Sequence, residues 1–314
     1  MPDFNIEEKI QEALKRKSFK DNKFEYLGLS LVFCLILFAT FLAGYFLPFL
    51  SIFIFIFIDI PLIMGFKHFI WFGPASGETL IDGFKVSLIC GYLNFVSYMK
   101  IFITTNLRAI LWALASFTIV GSVGAFAIEK IYDSELNAFV SSIENTTTFE
   151  ELYEIFIANE TLLNACTALV VIAAIIAFFT YYVLKLNRAL LPYTSFLRLT
   201  NLEGKSMDGV IAHAKKMIHT KKWNYYFKSS LYHLLYLIPI VATILMYMLL
   251  NSNPVYSPTT IYLICSLTFF VTMFPAVLFI ELNYRNFCIE VNQQYIKEHK
   301  KMLNDAINDL DKRI

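Results

Sequence analysis

Long unbroken apolar runs dominate this chain, rather than amphipathic stripes or two-residue alternation. Six of them, residues 26–47, 49–71, 108–128, 165–184, 231–250 and 259–282, reach the length a bilayer-crossing helix requires. The first two are separated by little more than Pro48, which predicts a tight helical hairpin. The block Ile52–Ile58 alternates Ile and Phe and so has strand periodicity. Its place inside a long apolar run overrides that, because a lone strand in lipid leaves its backbone polar groups unsatisfied. The pattern predicts an all-α, polytopic transmembrane bundle with about six spans.

Residues 86–106 are only moderately apolar and carry Asn94, Lys100 and Asn106. The positions of lysine and arginine decide how they are read. With six spans, every one of the 26 basic residues except Lys130 falls on one side of the membrane. A seventh span would turn the basic loop 185–230 outward, against the positive-inside rule. Residues 86–106 are therefore expected to be an interfacial or re-entrant helix leading into the third span, with both termini cytoplasmic.

The connecting regions follow from this frame. Residues 1–25 read as a cytoplasmic amphipathic helix with Ile6, Ile10 and Leu14 at four-residue spacing. The outer loop 129–164 has eight acidic residues against Lys130, with helical spacing at Leu152, Ile155 and Phe156. Residues 283–314 read as a charged cytoplasmic helix. Composition strengthens the reading: the chain is 57% hydrophobic and 16% charged, far from soluble domains. Its wealth of Phe, Ile, Lys and Asn suits a low-GC bacterium, and hence a bacterial plasma membrane. A net charge of +1 gives no reason to expect nucleic acid.

Three groups of residues carry candidate chemistry. Asp59 lies near the middle of the second span, two residues before Pro61. A carboxylate there costs at least about 2.5–3.5 kcal/mol on insertion scales, so it needs a partner, a cavity or a proton. Asp59 and Pro61 are thus a candidate midplane polar site, or a neutral acid bonded to a neighbouring helix. Glu281 and Arg285, four apart, share a helix face and predict an ion pair at the inner interface.

Ser206 reads as the cap of a helix whose apolar face comprises Met207, Val210, Ile211, Ala214, Met217 and Ile218. Lys215, Lys216, Lys221, Lys222 and Trp223 then form a candidate surface for an anionic cytoplasmic leaflet. Ordinary positive-inside flanking sequence would look the same.

The five cysteines are scattered and form no C-x-x-C pair, and the histidines have no metal-ligand spacing. No nucleotide-binding or nucleophile motif is present, so no cofactor is expected. Gly73–Gly77 reads as a turn. The sequons at Asn145 and Asn159 matter only in a eukaryotic secretory pathway. Gly121, Ser122, Gly124 and Ala125 give the third span a small-residue face, and Ala165, Ala168 and Ala173 do the same for the fourth.

Several landmarks in order resemble a bacterial membrane family: the membrane domain attached to some glycerophosphodiester phosphodiesterases, and its stand-alone relatives. They are Gly65-Phe66-Lys67-His68-Phe69, Asp82-Gly83-Phe84-Lys85, Leu191-Pro192-Tyr193, and the helix from Ala212 to Trp223. Lys215 stands where that helix usually has serine, and the acidic outer loop is longer than the family suggests. No phosphodiesterase domain accompanies the motifs, so the resemblance implies a fold rather than an activity.

Three functions are weighed on this basis. The first is a non-catalytic membrane component: a scaffold, a transport accessory or a lipid-associated partner of a membrane complex. The second is a transporter or permease using Asp59. The third, a membrane lipid enzyme, has only Glu281, Arg285 and His68 to draw on, and no spacing links them.

Overall fold

The computed structural model describes residues 22–74, 78–144, 158–198, 207–252 and 255–311, together with Thr148 and Ile155. Residues 1–21 of the helix expected over 1–25, the Ser206 cap and most of loop 145–157 lie outside these residues. All regular structure among the described residues is helical. In chain order the α-helices are α1 (Lys23–Phe46), α2 (Ser51–Ile54), α3 (Ile60–Phe72), α4 (Leu80–Leu93), α5 (Phe95–Ile131) and α6 (Asp133–Glu144). They continue as α7 (Glu160–Leu186), α8 (Leu191–Arg198), α9 (Met207–Thr220), α10 (Lys222–His233), α11 (Leu237–Asn251) and α12 (Pro258–Asp311). A π-helical turn, Phe55–Asp59, joins α2 to α3, and a 3₁₀ turn, Leu234–Tyr236, joins α10 to α11.

Six helical stretches are long and apolar enough to cross a membrane: Lys23–Phe46, Pro48–Phe72, Phe95–Ile131, Glu160–Ser195, Lys222–Asn251 and Pro258–Gln294. They match the six apolar runs, the first ending one residue earlier at Phe46, and otherwise extend beyond them, because a helix continues into polar sequence until a cap or breaker stops it. The stops are visible. Gly73, at φ 62°, ends α3 in a backbone conformation that L side chains rarely adopt. The Thr79 side chain accepts the Asp82 amide at 3.1 Å and so starts α4. Ser257 does the same for Thr260 at 3.2 Å, just before Pro258 opens α12.

Residues 86–106 are not one helix. Asn94 breaks them, its backbone amide and side-chain amide both turning to the Cys90 carbonyl. The first part belongs to α4 and the second begins α5, so the helix containing the third span starts at Phe95, not at Arg108.

Contacts divide the chain into two compact units, residues 1–103 with 186–314, and residues 104–185. In the first, the core gathers Tyr26, Phe33 and Cys34 of α1, Leu62, Phe66 and Phe69 of α3, Leu80 and Phe84 of α4, and Leu278 and Leu282 of α12. Phe33 and Phe66 stack at 4.2 Å, and Phe41 meets Phe270 at 5.5 Å.

Helix α4 lies along α3 at three glycine contacts. A Cβ at Gly65 would come within 2.8 Å of the Leu88 backbone, one at Gly83 within 2.6 Å of Pro74, and one at Gly91 within 2.1 Å of the Pro61 carbonyl oxygen. Helix α4 therefore runs back along α3 only as far as Pro61. In the second unit, Gly124 of α5 faces Leu169 of α7, whose side chain fills the space a Cβ would take. Gly121 faces open space.

Candidate functional site

The ends of α1 at Lys23, of α3 at Phe72 and of α10 at Lys222, with the end of the last candidate span at Gln294, mark a basic end of the first unit, and a polar cluster lies near it. Lys67, on the last turns of α3, makes an ion pair with Glu281 of α12. The Tyr193 hydroxyl, on α8, donates to the other carboxylate oxygen of Glu281 at 2.6 Å. Tyr193 is fully buried and packs on Trp71 at 5.5 Å. One carboxylate thus joins three helices that are far apart in sequence.

Glu281 spends both oxygens on Lys67 and Tyr193, so the expected Glu281–Arg285 ion pair does not form. Four-residue spacing places two side chains on one face, but a buried carboxylate takes the donors that close on it from neighbouring helices. The Arg285 guanidinium instead lies within electrostatic reach of the Tyr26 and Tyr193 phenols. Spacing along the chain singles out neither Lys67 nor Tyr193 as a site residue, because their shared partner lies on another helix.

The surrounding polar groups are also tied down. His68 meets Ser87 of α4 at 3.2 Å. The Tyr225 hydroxyl donates to the Leu186 carbonyl at 2.7 Å. His233 lies 2.6 Å from the Ser229 carbonyl through Nδ1, which therefore carries the proton, and 3.4 Å from Tyr284 through Nε2. Such a set can hold helix ends in register.

Asp59 is in a different state. It ends the π-helical turn, half-buried, and its Oδ1 atom is buried without a hydrogen-bond partner. Thr40 of α1 and Tyr92 of α4 are the polar side chains that act on it. Pro61 lies two residues on, its carbonyl covered by Gly91. Asp59 and Pro61 are thus brought together with α1 and α4 at the point where α4 stops.

The basic surface residues separate into two roles. Lys221 makes an ion pair with Glu290 of α12 at 2.5 Å, so it is not a free lipid contact. Lys215, Lys216 and Lys222 are exposed, and Trp223 and Phe227 are 83% and 72% exposed on one face of α10. The apolar face expected on α9 exists, with Val210, Ala214, Met217 and Ile218 buried. It packs within the protein, against α8 and α12, instead of facing a leaflet. Asn292 of α12 reaches Met217 across that seam. Among the described residues, no three His, Cys, Asp or Glu side chains gather as metal ligands would. No family model, curated protein or solved structure matches the chain.

Proposed function

We propose that the protein is a non-catalytic integral membrane component that holds a partner of a membrane complex against its basic end. The observation that carries this is α12. One helix of 54 residues runs unbroken from the far end of the bundle, through the core, to Asp311. At 1.5 Å per residue it is about 80 Å long, and about 25 Å of it lies beyond the last candidate span. That extension is rich in charge, with Lys297, Lys300, Lys301, Asp305 and Asp309.

Supporting the same reading, Trp223 and Phe227 suit the headgroup level, with Lys215, Lys216 and Lys222 meeting an anionic cytoplasmic leaflet. The charge asymmetry supports cytoplasmic termini, and the wealth of Phe, Ile, Lys and Asn supports a bacterial plasma membrane. A photo-crosslinker at Lys297, followed by mild-detergent purification, tests the reading. A protein partner captured at that site and present in stoichiometric amount is expected. A chain that purifies alone, with no crosslinked species, sinks it.

A second reading, ion-linked transport, is favoured by one observation: the buried Asp59 oxygen without a partner. Intramembrane carboxylates of this kind mark ion pathways. Reconstituted vesicles loaded with a sodium- or pH-sensitive dye should show flux that the Asp59→Asn variant lacks. Equal flux in both, or none in the wild type, removes this reading.

A further inference from the structure

We infer that Asp59 is the centre of a binding site for a small desolvated monovalent cation. This rests on the transport reading and gives it a ligand, but binding is separable from flux.

The groups around Asp59 all offer oxygen. Its own Oδ1 is buried and accepts no hydrogen bond. The Thr40 hydroxyl donates to the Leu37 carbonyl at 2.9 Å and also lies within hydrogen-bond reach of the Asp59 carboxylate, and its lone pairs stay open to a cation. The helix backbone is also interrupted here. The Ile60 amide turns to the Phe55 carbonyl, as a π-helical turn requires, and Pro61 has no amide hydrogen. Neither amide that would ordinarily close on the Ile56 carbonyl is then available, one turn before Asp59. The Tyr92 phenol, on α4, lies within electrostatic reach of Asp59. It is brought close because Gly91 has no side chain to strike Pro61.

Charge and hardness select the ligand. Among the described residues no lysine, arginine or histidine makes an ion pair with Asp59. Carboxylate, hydroxyl and carbonyl oxygens suit hard cations. With a single negative charge in an apolar span, a monovalent ion leaves the site neutral, whereas a divalent ion leaves a net charge in lipid. Interrupted helices that expose backbone carbonyls inside a bundle are where membrane proteins coordinate such ions.

Thermal unfolding of the whole protein in detergent, followed by tryptophan fluorescence, tests this without any transport assay. At constant ionic strength, replacing N-methyl-D-glucamine chloride by sodium chloride should raise Tm saturably, by about 2 °C or more. Asp59→Asn should abolish the shift, and Thr40→Val should move its midpoint to at least threefold higher sodium. Thr40→Val also keeps the test decisive if the Asp59 variant does not fold. A wild-type Tm indifferent to sodium, lithium and potassium overturns the site. So does a Tm that responds to pH but to no metal cation, which assigns the carboxyl to a proton. If the sodium shift is present but vesicles show no flux, the site stands and only the transport reading falls.

Discussion

The Tyr193 hydroxyl donates to Oε2 of Glu281 at 2.6 Å while Lys67 holds Oε1, so a single carboxylate closes α3, α8 and α12 on one another. Both charged side chains are less than a fifth exposed. Removing one partner of such a pair leaves the other charge poorly solvated, which costs about 3 kcal/mol or more. Glu281→Gln and Lys67→Met should each lower Tm strongly, whereas the double change Lys67→Met with Glu281→Leu should recover much of the loss. Tyr193→Phe, which removes one hydrogen bond to a charged group, should cost about 1.5–3 kcal/mol. Thermal unfolding of the four variants reads this directly, and single variants as stable as wild type would refute it.

The ion pair between Lys221 and Glu290 has a similar length but a different environment. Its side chains are 30% and 49% exposed, so solvent screens it. Lys221→Ala should change stability by less than about 1 kcal/mol. A loss comparable to that of the Glu281 variant would mean that depth is not what separates the two pairs.

The glycine contacts predict an ordering. Gly91→Ala drives a methyl group to 2.1 Å from the Pro61 carbonyl oxygen, and Gly65→Ala meets the Leu88 backbone at 2.8 Å. Because these neighbours are backbone, relief requires α4 to move, at about 1–3 kcal/mol or more. At Gly28 and Gly121 nothing lies within 4 Å, and alanine there should be neutral or stabilising by up to about 1 kcal/mol. The yield of monodisperse protein across the four variants checks the order, and Gly91→Ala behaving like Gly28→Ala would break it.

Orientation has its own measurement. Asn137 on α6 and Lys222 on α10 are both exposed. A cysteine at 137 should react with an impermeant thiol reagent added to intact cells, and one at 222 should react only after the membrane is opened. The native cysteines are buried or half-buried and provide the background. The reverse labelling pattern inverts the topology.

Apolar run length was enough to find all six long helices, because in lipid a helix is the one local structure that satisfies its own backbone. The buried face of α9 was also legible, down to Val210, Ala214, Met217 and Ile218. What covers that face was not, since periodicity gives a direction on a helix and not the neighbour in that direction. The partner of Glu281 was hidden for the same reason. Spacing rules compare residues on one helix, and Lys67 lies 214 positions away. Asp59 and Pro61 stood out in sequence. The π-helical turn did not, because it depends on which carbonyl the Ile60 amide chooses.

Among the contacts that hold helix α12 are Tyr45 against Tyr262 near one end and Lys67 and Tyr193 on Glu281 further along. Between them its single internal proline, Pro275, is the one position where the backbone ladder lacks a rung. A rod clamped along its length cannot be twisted from its far end unless a clamp slips. Torque applied beyond Gln294 passes the Asn292 and Glu290 contacts and then reaches the Glu281 clamp, through helix uninterrupted by proline. The tail is therefore a handle on the cluster at the basic end, and Pro275 limits how much of that motion travels on toward Tyr262.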